Sequence, residues 1–118
     1  EITKLLLEAG ADPDNQDIIG NTFLNFSCNY TNYENIKLLL EAGANPNIQD
    51  WHGRTSLHYP KTHEIAKLLL EAGADPNIQN RWSRTPLHES KSPEITKLLL
   101  NYNVFTDFKK NKPIYIID

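Results

Sequence analysis

The chain has one cysteine, Cys28, so neither a disulfide framework nor a cysteine-built zinc site can form within it. A single thiol fits a reducing compartment, and a cytoplasmic location is expected. Methionine is absent, and the chain opens on Glu1, Ile2, Thr3 and Lys4, with no charged leader followed by an apolar core. No secretory signal is therefore read, and the missing initiator makes these residues an expected piece of a longer protein. No apolar run approaches the roughly 20 residues needed to cross a bilayer, so no membrane association is expected. Phosphate-cradling glycine loops, His-Glu-x-x-His and Gly-x-Ser-x-Gly are missing as well, which leaves no signature of a cofactor, a metal or an enzyme. Nor is one sign of charge dominant: the net charge is −3. Residues 1–50 sum to −6 and residues 51–118 to +3. Such a split either orients a partner or is a solvated surface of uneven charge. With 118 residues, 39% hydrophobic and 23% charged, the chain has the length and composition of one small folded domain.

What is present is repetition. Leu-Leu-Leu occurs at 5–7, 38–40, 68–70 and 98–100, spaced by 33, 30 and 30 residues. Three copies continue as Glu-Ala-Gly-Ala followed by Asp or Asn and then proline, at 8–13, 41–46 and 71–76. Between them recur Gly20-Asn21-Thr22-Phe23-Leu24-Asn25, Gly53-Arg54-Thr55-Ser56-Leu57-His58 and Ser83-Arg84-Thr85-Pro86-Leu87-His88.

Each unit contains one clear helix. In the third copy Ile65, Leu68, Leu69 and Ala72 fall at i, i+3, i+4 and i+7, an apolar stripe. Thr62 is the expected N-cap, and in the next copy Ser92 and Pro93 are cap and first helical residue. Gly10, Gly43 and Gly73 stand where a left-handed residue closes the last turn, and Asn103 takes that place in the fourth copy. Thr85 caps a second, shorter helix beginning at Pro86.

The length changes fall in one place. From each leucine triplet to the next threonine is 17 residues three times over, whereas threonine back to triplet is 16, then 13, then 13. Three residues are thus missing from the short helix and its loop in the later copies. Pro60 further blocks extension there, so the short helices after Thr55 and Thr85 are expected to be about one turn long.

These motifs, together spanning nearly all of residues 1–118, resemble the ankyrin repeat, whose unit reads Gly-x-Thr-Pro-Leu-His, a short inner helix, and a leucine-rich outer helix ending Gly-Ala-Asp. The resemblance implies an all-α solenoid of stacked helix-turn-helix units with short, β-hairpin-like projecting fingers. The units divide as a partial repeat 1–16, repeats 17–49, 50–79 and 80–106, and a partial terminal repeat 107–118. It implies a non-enzymatic protein–protein interaction module without cofactor or metal, with a protein partner, no nucleic acid, and a monomeric state. The competing reading is a structural spacer or targeting segment of a longer effector or enzyme. Shortened inner helices make binding in a deep groove over residues 50–95 the less expected mode.

His58 and His88 stand where the family's imidazoles bridge neighbouring repeats, a structural role; their counterparts Asn25 and Tyr115 can also hydrogen-bond. His52 and His63 lack zinc-type spacing. Cys28 follows Ser27 where the family has small buried residues. Asn47 and Asn77 match a loose motif for asparagine hydroxylation, with Asp14 in the first copy.

Fingertip positions carry Ile18, Ile19 and Asn21; Trp51, His52 and Arg54; Arg81, Trp82 and Arg84; and Phe108, Lys109 and Asn111. Both tryptophans and all three arginines are among them. Trp51, His52, Arg54, Arg81, Trp82 and Arg84 are the candidate partner-binding set, since Trp and Arg dominate interface hot spots. The alternative is that the aromatics pack on neighbouring fingers, above all Trp82. Abundant Asn, Lys and Ile suggest an AT-rich genome, such as that of an intracellular bacterium or large DNA virus. A secreted effector of that kind would work in the host-cell cytoplasm.

Overall fold

The computed structural model describes residues 2–106, and the side chains as far as Tyr102. The Phe108, Lys109 and Asn111 fingertip, Tyr115 and the terminal partial repeat lie outside the described residues. Six helices occur among those described: α1 (Ile2–Glu8), α2 (Phe23–Asn29), α3 (Tyr33–Glu41), α4 (His63–Glu71), α5 (Pro86–Glu89) and α6 (Pro93–Thr106), with a three-residue 3-10 turn at Ser56–His58. The outer helices α1, α3, α4 and α6 pack in sequence as one row. The inner elements α2, the 3-10 turn and α5 pack as a second row against them.

Local chemistry accounts for the ends of these helices. Thr22 Oγ1 accepts from the Asn25 amide at 3.1 Å, Asn32 Oδ1 from Asn35 at 3.2 Å, and Thr62 Oγ1 from Ile65 at 3.3 Å. At the other end of α4, Gly73 N–H reaches Leu70 O at 3.1 Å and Ala74 N–H reaches Leu69 O at 2.9 Å. That paired closure requires a left-handed residue, and Gly73 sits at φ 98. α1 and α3 end the same way at Gly10 and Gly43. The fourth copy departs from expectation: α6 runs through Asn103 to Thr106. Without glycine the left-handed turn carries a steric cost, while continuing the helix keeps its carbonyls paired.

The truncation of the inner row is as expected, with seven residues in α2 but three in the 3-10 turn and four in α5. The outer stripe is broader than its i, i+3, i+4, i+7 pattern. α4 buries Ile65, Ala66, Leu69 and Leu70, while Ala72 is exposed. Because α4 is flanked by both α3 and α6, it buries two sides, and Ala72 lies beyond them at the C-cap. Leu24, Ile36, Leu39, Ile65, Leu69 and Leu99 form the centre of a continuous core. Cys28 lies wholly within it, and burial pushes its thiol up to about 12, which keeps it protonated and unreactive.

The histidine bridge is present. His58 Nδ1 accepts from the Thr55 amide at 3.0 Å, so the ring proton belongs to Nε2, which donates to Arg84 O of the next repeat at 3.1 Å. In the second repeat Asn25 does the equivalent work, its Oδ1 accepting from the Ser56 hydroxyl. This arrangement needs a neutral imidazole, and burial holds His58 below its ordinary value of 6.5. The unfolded chain therefore takes up the proton first as pH falls. His58's contribution is complete above about 6.5 and declines through the lowered folded value. Melting temperature is expected to fall as pH drops below about 6.5, and His58→Gln, which cannot titrate, to flatten that slope. Parallel slopes for the two proteins would contradict the assignment.

Candidate functional site

The fingers are built on one repeated device. Asp17, Asp50 and Asn80 each begin a turn, their backbone N–H groups donating to Asn21 O, Arg54 O and Arg84 O respectively, each at 2.9 Å. The same three side chains fold over the tip. Asp50 Oδ1 accepts from the His52 and Arg54 amides at 2.9 Å each, and Asn80 Oδ1 from the Trp82 and Arg84 amides at 2.9 and 3.1 Å. Such Asx turns satisfy backbone groups that a two-residue tip leaves unpaired. The expected β-hairpin character is reduced to a single bridge, Gln16 to Thr22, among the described residues. The fingers are too short for a ladder, and Gln16 and Gln49 amides join successive fingers instead.

Fingers also bond tip to tip. Trp51 N–H donates to Ile19 O at 3.2 Å, and Arg81 N–H to His52 O at 2.9 Å. Lower down, Asn47 ties two repeats together, accepting from the Asp75 amide at 2.7 Å and donating to Gly73 O at 3.1 Å. Asp14 does the first of these for Asn45 at 2.8 Å.

The six candidate residues separate into three arrangements. Trp51 stands apart, 68% exposed, over the backbone of Gly20. Trp82, 54% exposed, is surrounded: its ring stacks on His52 with centroids 5.7 Å apart, and the Arg54 and Arg81 guanidinium carbons lie 5.2 and 5.6 Å from its centroid. Packing on the neighbouring finger is thus what Trp82 does, while leaving half its surface open. Arg54 and Arg84 converge on Glu89. Arg84 Nε binds Oε2 at 2.9 Å and Arg54 Nη2 binds Oε1 at 3.3 Å, with Asn80 Nδ2 also on Oε1 at 3.3 Å. The hydrogen bond from Arg84, then that from Arg54, holds the Glu89 carboxyl below the usual carboxylate range. Both guanidiniums are therefore anchored by this chain's own acid. Arg81 makes no ion pair among the described residues.

A hollow of ≈ 400 Å³ opens between the fingers, lined by Ile19, Asp50, Trp51, His52, Tyr59 and Arg81. Tyr59 closes its base by donating its hydroxyl to Asp50 Oδ2, and burial together with that carboxylate pushes the phenol well above its ordinary range. Sequence reading missed Asp50, Tyr59, Asn80 and Glu89. The recurrence of Asp or Asn at 17, 50 and 80, in step with the leucine triplets, was a usable signal. For Glu89 the signal was the pairing with Arg84 five residues before it, while its contact with Arg54 spans 35 residues.

A family model for ankyrin repeats, three copies, matches residues 1–80. The chain belongs to the ankyrin-repeat family. Its all-α solenoid follows that assignment, and residues 81–106 continue it: Thr85 and His88 rebuild the cap of Thr55 and His58, with 3.1 Å from the Thr85 amide to His88 Nδ1. A search of curated proteins returned no match to this chain. Ankyrin repeats are in general protein–protein interaction modules and not enzymes. Among the described residues of this ankyrin array, no three metal-ligating side chains come together, and no helix is long and apolar enough to cross a membrane.

Proposed function

We propose that the ankyrin array binds a protein partner through its finger row, with Trp51, His52, Arg81 and the open face of Trp82 as contacts. Arg54 and Arg84 position those contacts from behind through Glu89. The observation that carries this reading is the tip-to-tip hydrogen bonding of the fingers beside two largely exposed tryptophans. Residues already held in place lose little conformational freedom on binding, and Trp and Arg contribute most per side chain. The ≈ 400 Å³ hollow gives a partner side chain somewhere to go.

The test is capture from cell lysate, read by mass spectrometry, with wild type against Trp51→Ala/Arg81→Ala/Trp82→Ala. None of the three side chains belongs to the core, so the variant should fold. The expected result is a protein retained by wild type and lost by the variant, with about a tenfold or greater loss of affinity on re-measurement. Equal retention by both would remove the finger row as the binding surface.

A further inference from the structure

The three residues missing from the inner row leave space elsewhere. A hollow of ≈ 370 Å³ lies between the 3-10 turn, α5 and the loops that follow them. Leu57, Pro60, Pro86 and Ile95 supply apolar lining, and Lys61 and Lys91 line it as well, both exposed. The 3-10 turn and α5, each about one turn long, border this recess.

The two lysines occupy the same position in consecutive repeats, each one residue before the N-cap of an outer helix, Thr62 for α4 and Ser92 for α6. Neither is ion-paired among the described residues. The second repeat has neither feature. Its inner helix is full length, and Thr31 stands where the lysines do. Deletion and lysine thus coincide in the same two repeats. Glu89 also lines the recess, its charge offset by the Arg54 and Arg84 guanidiniums that hold it, while the exposed Glu64 and Glu94 sit in the first turns of α4 and α6. Among the described residues, Lys61 and Lys91 are thus the charged lining groups that no ion pair offsets.

We infer that this recess is a docking site for a short, extended acidic peptide, one aliphatic side chain seated among Leu57, Pro60, Pro86 and Ile95 and flanking carboxylates on Lys61 and Lys91. An extended chain places residues i and i±2 on one side, about 6.6 Å apart, so acidic residues two positions before and after an apolar anchor face the rim on the same side as the anchor. The recess volume lies within the usual range for ligand sites, about 300–1,000 Å³. This surface is separate from the finger row and stands whether or not the fingers bind.

The probe is a fluorescent, N-acetylated peptide with aspartate two positions before and after a central leucine, with a peptide of equal length carrying lysine at the aspartate positions as control. Anisotropy gives affinity, and amide shifts in isotope-labelled protein give location. The acidic peptide is expected to saturate, with shifts clustered at 57–61 and 86–95, and the basic one not to bind. Lys61→Glu/Lys91→Glu should weaken binding at least about tenfold, and Lys61→Arg/Lys91→Arg should retain it. Trp51→Ala/Arg81→Ala should leave it unchanged. Equal binding of both peptides, unchanged affinity in the charge-reversed protein, or shifts confined to the fingers would each overturn the inference.

Discussion

Leu69→Ala is expected to destabilise the array by about 2–5 kcal/mol, whereas Leu6→Ala should cost about 1 kcal/mol or less. The two leucines occupy the same place in their repeats, second in the leucine triplet, and sequence cannot tell them apart. Leu69 is fully buried and Leu6 is 51% exposed. α4 has neighbours on both sides in the outer row and the 3-10 turn beneath it, so truncating Leu69 leaves a cavity that rigid surroundings cannot collapse. α1 touches only α3 in that row, and water already reaches Leu6. The larger loss is a substantial fraction of the total stability of a small domain, about 5–15 kcal/mol. Because each repeat is stabilised chiefly by its neighbours, the whole array should lose cooperativity with it. Urea unfolding followed by circular dichroism compares the two. Equal losses would mean that the open face of α1 is covered in solution.

Gly53→Ala should be the more damaging of two glycine substitutions, by roughly 2–4 kcal/mol, against about 1–2 kcal/mol for Gly73→Ala. Both glycines have positive φ, 75 and 98, so an alanine at either is strained. The difference is what the new methyl would meet. At Gly73 nothing lies within 4 Å, and only the backbone term applies. At Gly53 the added carbon would stand 2.8 Å from the Arg81 amide nitrogen and 3.1 Å from the Asn80 backbone. Neither can yield as a flexible side chain would, so the fingers begun by Asp50 and Asn80 must part. That breaks the 2.9 Å bond from Arg81 N–H to His52 O, on which the spacing of the finger row depends. Thermal melts give the ranking, and amide exchange gives the mechanism. Arg81 N–H should exchange faster in Gly53→Ala and unchanged in Gly73→Ala. Similar melting temperatures in the two variants would show that the fingers are not in close contact.

The repeat signal was legible because it is local and periodic. Threonine caps, glycine closures and the 17-residue interval each act within a few residues, so the sequence carries them directly. The one-turn inner helices followed from counting alone. Asn103 shows where such reading fails: a residue that tolerates the left-handed conformation does not compel it, and α6 continues. Thr31 fails the other way. It closes α2 at φ 57, a conformation no one would assign to a β-branched residue, because Thr31 N–H to Cys28 O and Asn32 N–H to Ser27 O hold the turn.

The candidate site divides along the same line. Sequence placed Trp51, His52, Arg54, Arg81, Trp82 and Arg84 at fingertips, and the structure keeps all six on the finger row. Arg84 reaches Glu89 within its own repeat, but that Arg54 does so as well was invisible, since that contact joins parts of the chain that only stacking brings together. The same holds for the recess beside Lys61 and Lys91, which is a space and has no residues of its own to read. The sequence by itself determined the repeat, its phase, its helix ends and the shortening of two inner helices, because short-range capping and periodic burial decide these. Only the tertiary structure decided which arginines pair with Glu89, which leucine of each triplet is covered and where a hollow opens. Those depend on which surfaces adjacent repeats bury against each other, and burial across a stack is a property of neighbours far apart in the chain.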